Sequence, residues 1–342
     1  MLCPFCLIDT SIETREEERG GSANIRGRRV SYLACKECNS QIPRMYKDDY
    51  EICPPAIVSA VGFSQHGKRV YLASLYRLLR SQDLVKRWNK YLTWPLNQDS
   101  LDKIRGSVKL LDECRLPAAN PQVFPMPTLM QVKNVPNTPN STLVLYDTAG
   151  EAFRSVDRIE MYASFVARAD TILFFVSLAN LTKGNESSEL DDLLQTYVIG
   201  ARELGTPLKS QALCLVFTKA DRYSDIYGNA WPFGDQLYMA PGEEAYVSPY
   251  QVNTTTRKLT EFVDEHLKAK QFLANARDFF NSIHMTYVSA LGQPPNTRNE
   301  LDHAPRPCRM LDPILHVIRR QAHTRLGLIG QFLQAVERNN WL

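Results

Sequence analysis

Apolar residues in this chain fall into short unbroken runs, separated by longer stretches in which they recur every three or four positions. The runs are Ala56 to Val61, Thr142 to Tyr146, Thr171 to Ser177, Ala212 to Phe217 and Ile283 to Val288. Consecutive apolar positions imply burial on both faces, so each run predicts an interior strand. Between the first two, Leu72, Leu75, Leu78 and Leu79 recur at helical spacing. Residues 190–204 predict another helix, 256–281 one long helix, and 311–323 and 325–340 two closing helices. Strands that alternate with helices predict an α/β fold, a mostly parallel sheet with helices on both faces.

The pattern also divides the chain. Residues 1–50 are polar and stand apart as a small N-terminal unit. Residues 54–324 form the main domain, with insertions expected at 82–127 and 222–253. The first insertion has a basic, aromatic helical part (Lys86, Arg87, Trp88, Lys90, Tyr91) and then Pro117, Pro121, Pro125 and Pro127. The second is rich in Gly, Pro and Tyr, and 292–308 reads as a loop. Residues 325–342 are expected to be a C-terminal helix packed on the main domain, with Leu326, Ile329, Leu333 and Val336 on one face.

Composition narrows the function classes. The 342 residues are 44% hydrophobic and 23% charged, the mix of a globular protein. A net charge of +3 gives no electrostatic case for nucleic acid, which is bound by clearly basic domains. No apolar run approaches the roughly 18 residues of a membrane span. The first 20 residues lack the apolar core of a signal peptide, so a cytoplasmic protein is expected. In a reducing compartment its eight cysteines suggest metal rather than disulfides.

Four of those cysteines are paired in sequence, as Cys3-Pro-Phe-Cys6 and Cys35-Lys-Glu-Cys38. Each knuckle presents two thiolates on a tight turn, and two knuckles make a tetrahedral site for Zn²⁺, a zinc ribbon. A redox pair is the weaker reading, because there are two copies and no thioredoxin-like strand precedes them. Cys53, Cys114, Cys214 and Cys308 are scattered.

Four further segments follow strand-like runs. Gly62-Phe-Ser-Gln-His-Gly67-Lys68-Arg69 has the Gly-x4-Gly-Lys pattern of a phosphate loop, whose glycines let backbone N–H groups face an anion at a helix N-terminus. Lys68 would reach the outer phosphates. Asp147-Thr148-Ala149-Gly150-Glu151, Thr218-Lys219-Ala220-Asp221 and Ser289-Ala290 complete the set. Singly, each has a bland reading as a turn or a helix cap. In this order they resemble the motifs of Ras-like, translation-factor-related P-loop GTPases.

The resemblance implies GTP or GDP as ligand. Asp147 would organise Mg²⁺ through water, and the Gly150 N–H would sense the γ-phosphate. Asp221 would accept hydrogen bonds from guanine N1–H and the 2-amino group, with Lys219 along the base and the Ser289-Ala290 turn at O6. Two positions depart from the pattern. Arg69 stands where Ser or Thr ligates Mg²⁺, and arginine has only donors. Either Mg²⁺ is held without this ligand, or the guanidinium neutralises phosphate itself, or nucleotide binding is lost. Glu151 stands where glutamine orients the attacking water. No threonine of the first switch is evident, with Thr128 a candidate just before a strand. His66 reads as incidental.

A zinc ribbon ahead of such a domain, with Leu145-Tyr146-Asp147-Thr148-Ala149-Gly150-Glu151, is also similar to bacterial double-GTPase-like components of conflict or defence systems. That implies a regulatory switch working with protein partners, and the departures at Arg69 and Glu151 make slow or degenerate hydrolysis the expectation. The rival is a non-hydrolysing scaffold. A nucleic-acid adaptor built on the ribbon is disfavoured by the balanced charge.

Overall fold

In the computed structural model, residues 1–19, 28–118, 124–233, 249–298 and 300–325 are described. The N-terminal unit is a three-stranded antiparallel sheet of β1 (Ile12–Arg19), β2 (Arg28–Cys35) and β3 (Gln41–Ile42), followed by a short helix α1 (Arg44–Asp48). Ile12 lies opposite Cys35, and Leu33 opposite Ile42. Its core is small: Cys3, Cys35, Ile42 and Tyr46, with Leu33 at its edge.

The main domain begins with β4 (Pro55–Val61), α2 (Lys68–Leu79), α3 (Gln82–Arg87), β5 (Leu92–Pro95), α4 (Gln98–Asp112), β6 (Thr128–Lys133) and β7 (Ser141–Asp147). It continues through α5 (Val156–Tyr162), β8 (Thr171–Val176), α6 (Glu186–Glu203), β9 (Ala212–Thr218) and α7 (Tyr223–Tyr227). It then runs through α8 (Pro249–Glu265), α9 (Lys270–Phe279), β10 (Ser282–Val288) and α10 (Asp312–Arg325). The strands form one seven-stranded sheet in the order β10-β9-β8-β4-β7-β6-β5. All pairs from β10 to β7 are parallel, and β6 and β5 add antiparallel at one edge. The α/β architecture expected from the alternation of runs is therefore present.

Side chains alternate across this sheet and build two apolar layers. Ile57, Val61, Val144 and Tyr146 face one layer with residues of α5, α6, α8 and α9. Ala56, Val58, Leu143 and Leu145 face the other with α2, Ile104 of α4 and residues of α10. Burial on both faces is why the parallel strands read as continuous apolar runs.

Three expectations change. Residues 256–281 are not one helix: α8 ends at Glu265, and Lys268 turns with φ +54°, which lets Leu267 and Ala269 bury on either side of it. The basic aromatic stretch is helical only to Arg87; Trp88 leaves the helix in an extended conformation and buries its ring against Tyr91. Residues 82–127 also hold an edge strand, β5, and a fifteen-residue helix, α4. Of the expected C-terminal helix, all beyond Arg325 lies outside the described residues, as does 234–248 of the second insertion.

Candidate functional site

The parallel strands end at one edge of the sheet, where an α/β fold collects its ligand-binding loops. The loops after β4, β7, β9 and β10 line one cavity of about 740 Å³ there. That is within the range of roughly 300–1,000 Å³ typical of small-molecule sites. The cavity is lined by 63–69, by Asp147 to Glu151, by Thr218, Lys219 and Asp221, and by Ala290. Gly62 lies behind the loop and Ser289 behind Asp221. Leu116 to Ala118 and Gln293 to Pro295 close the sides. The four motif segments, up to 228 positions apart, thus meet at one place.

Backbone geometry explains the two loop glycines. Gly67 caps α2 at φ +78°, in the left-handed region, so that the N–H groups of the first helical turn open into the cavity. Gly62 sits at φ +147°, and a Cβ there would lie 2.5 Å from the Phe175 carbonyl oxygen. The resulting cradle fits a phosphate. The buried Thr148 hydroxyl in the same cavity has no protein partner among the described residues, a donor left available to a ligand.

Lys68 is buried, donates to the Gly62 carbonyl and lies 5.5 Å from the Phe153 ring centre. Burial lowers its pKa to about 8, against the opposing pull of Asp147 and Glu151. It is a cation held dry, the state in which a phosphate gains most from it. His66 points away from this chemistry: its ring Nδ1 meets the Phe175 carbonyl at 3.3 Å, and burial pushes its pKa down to about 4.

Gly150 is pressed against the phosphate loop. A Cβ there would come within 2.2 Å of the Ser64 nitrogen and 2.4 Å of the Phe63 carbonyl carbon. Glu151 follows, its carboxyl held below the usual range first by the Ser64 hydroxyl and then by its own backbone N–H. The 62–69 loop and the Asp147-to-Glu151 segment are in direct contact.

Between the loops after β9 and β10, the Ser289 hydroxyl donates to Asp221 Oδ1 at 2.6 Å, and the Gly292 N–H donates to that hydroxyl at 2.9 Å. Lys219 adopts φ +60°, and its Nζ donates to Asn180 Oδ1 at 2.7 Å. Burial lowers its pKa, with Arg222 adding to the effect. Thr218 donates to the His66 carbonyl at 2.8 Å.

Arg69 occupies the place where the resemblance expects a hydroxyl ligand for Mg²⁺. The Arg69 guanidinium donates to the Ala118 carbonyl, across the mouth of the cavity. Thr128, the candidate switch threonine, is fully buried at the start of β6 and does not line the cavity. A second cation, which no motif marks, comes from α4: burial lowers the pKa of Lys103, Asp147 raises it and Arg69 lowers it further. Its only sequence signal is a lysine amid the apolar spacing of α4. Asn180 and Tyr223 were equally silent; the Tyr223 hydroxyl accepts from the Leu178 N–H at 3.1 Å and donates to the Thr218 carbonyl.

The cysteine knuckles come together as a separate centre. The four Sγ atoms of Cys3, Cys6, Cys35 and Cys38 all lie within 4.8 Å of one another. Cys3 to Cys38 and Cys6 to Cys35 are each 3.8 Å apart. With Zn–S near 2.3 Å, a tetrahedron has edges of about 3.8 Å, whereas a disulfide needs about 2.05 Å. The set fits zinc as a closed, structural site. Cys53, Cys214 and Cys308 are buried singly.

The family model described as Double-GTPase 2 matches residues 56–231, just over half of the chain and the span holding the first three motif segments. No curated protein matches the chain. No helix among the described residues is long and apolar enough to cross a membrane.

Proposed function

The chain belongs to the Double-GTPase 2 family, and on that premise we propose that it is a guanine-nucleotide-binding regulatory switch whose own hydrolysis is slow. The observation that carries this reading is the Ser289–Asp221 hydrogen bond, which fixes a carboxylate in the lining of the cavity that Lys68 also lines. It aims a carboxylate at the place where a guanine would offer two donors and an adenine none. Lys68 and the loop N–H groups take the phosphates.

Slow turnover is supported by the two departures. Arg69 offers no oxygen to Mg²⁺ and is engaged with Ala118. Glu151 is engaged with Ser64, and as an anion it repels a γ-phosphate rather than orienting a water. These same contacts favour the second reading, a non-hydrolysing scaffold that signals by occupancy alone. Either way the output is a protein partner that reads the switch segment. A cytoplasmic role in bacterial defence extends the resemblance in domain order and in Leu145 to Glu151.

The test is nucleotide affinity followed by single-turnover phosphate release. Guanine nucleotides should bind far more tightly than adenine nucleotides, with release of phosphate very slow. Equal affinity for GTP and ATP removes the reading. Brisk Mg²⁺-dependent release removes the slow-switch part.

A further inference from the structure

The first cysteine knuckle does not stand apart from the main domain. The Tyr146 hydroxyl, fully buried, donates to the Pro4 carbonyl at 2.8 Å and reaches the Phe5 carbonyl at 3.4 Å. Both carbonyls lie between the ligands Cys3 and Cys6. Leu7, one residue past Cys6, is buried in the main core with Phe153, Ile159 and Phe165. On its other side Tyr146 stacks on Phe165, with ring centres 4.6 Å apart and planes 8° apart. Phe165 belongs to the turn Ser164–Arg168 that follows α5.

Position along β7 gives these contacts a consequence. Tyr146 immediately precedes Asp147, and the segment from Gly150 to Arg168 meets its ring through Phe165 and shares its core cluster through Phe153 and Ile159. Within the knuckle the bonds are a Cys3 N–H to Ile8 carbonyl, a Leu7 N–H to Cys3 carbonyl and a Phe5 N–H to Cys3 sulfur contact, and outside it Leu2 is tied to the Tyr46 and Tyr50 hydroxyls. Four sulfur atoms this close are stabilised as thiolates by a metal that takes up their charge. A metal-ordered turn is thus the floor on which the phosphate-sensing segment rests.

We propose that Tyr146 is a positioning residue that couples zinc at the Cys3–Cys6 knuckle to the order of residues 150–168. With the metal in place, the Pro4 carbonyl fixes the Tyr146 hydroxyl, and Leu7 fills the core beneath Phe153 and Phe165. Without it, the carbonyl and Leu7 are released together, and the segment loses one wall. The consequence for nucleotide affinity rests on the function proposed above; the coupling itself does not.

The experiment is hydrogen exchange on the full chain in three states: zinc-loaded, chelator-depleted, and Tyr146→Phe loaded with zinc. Phenylalanine keeps the stack on Phe165 and removes only the hydroxyl's bonds to the Pro4 and Phe5 carbonyls. The coupling requires amides of 150–168 to lose protection in the second and third states, while β9 and β10 keep theirs and the variant still carries one zinc. Unchanged protection of 150–168 on zinc removal, or in the zinc-loaded variant, overturns it. So does an equal loss across the whole sheet, which is what a merely structural role gives. In parallel, GTP affinity should fall about tenfold in both altered states, a typical size for coupled sites. A loaded, unmodified chain that binds no GTP refutes the nucleotide reading, and the exchange data still decide the coupling.

Discussion

The Thr218 hydroxyl donates to the His66 carbonyl at 2.8 Å, joining the end of β9 to the phosphate loop. The same side chain stands behind Gly67, where a Cβ would meet Thr218 Oγ1 at 3.3 Å. One threonine thus links the base-reading loop to the loop that holds phosphate. Thr218→Val is nearly isosteric and leaves the buried His66 carbonyl without this donor. Unfolding stability should fall by about 1–2 kcal/mol, read from a denaturant midpoint. GTP and GDP should weaken alike, since both need the loop.

On the proposed reading, Asp221 sets the base. In Asp221→Asn the Ser289 bond can persist, but the side chain now offers a donor to the guanine edge. GTP affinity should fall by about a hundredfold, while xanthosine triphosphate, whose 2-oxo group accepts, should gain. Competition titration with both nucleotides checks this, and unchanged GTP binding contradicts the assigned role.

Lys68 predicts a pH dependence. Burial brings its pKa down to about 8, so in the free protein it is largely neutral above that pH. A triphosphate binds the charged form. Below pH 8 the ammonium is already present; above it, binding must first take up a proton. The association constant should therefore be flat below pH 8 and fall by about tenfold per unit above it, up to the pKa of the complex. Lys68→Met should bind weakly at every pH and lose the slope.

Arg69 brings positive charge to the lining of the cavity at the place where Mg²⁺ is expected. Nucleotide binding should depend weakly on Mg²⁺ in the unmodified chain. Arg69→Ser restores a hydroxyl and removes a cation, so the ratio of GTP affinities with and without Mg²⁺ should rise, by isothermal titration in each condition. Turnover need not return while Glu151 remains.

Gly150 has no room for a methyl group. Gly150→Ala places a carbon 2.2 Å from the Ser64 nitrogen, a backbone atom that cannot swing aside. The phosphate loop and sensor must separate, so the thermal midpoint should drop and GTP should be lost before GDP. Gly106→Ala, at a helix position with open space around it, is the control and should be neutral or slightly stabilising.

The motifs were legible in the sequence because their chemistry is set by a few residues close together in the chain. Gly62 to Arg69 determines a phosphate cradle wherever a strand enters and a helix leaves, and Cys3, Cys6, Cys35 and Cys38 determine a tetrahedral sulfur set. The α/β alternation was equally legible, since apolar spacing reports directly which side chains leave water. It does not report which neighbour they meet. Leu92 to Pro95 is a strand only because β6 pairs with it. The break after Glu265 exists because Leu267 and Ala269 both bury, with no glycine or proline to announce it. Lys103 approaches Asp147, Thr218 ties down His66, and Tyr146 reaches Pro4 across 142 positions. Those relationships belong to the order of strands in the sheet. They were decided by tertiary packing, because a side chain's burial is written in its own type and spacing while its partner is chosen by the topology that brings distant segments together.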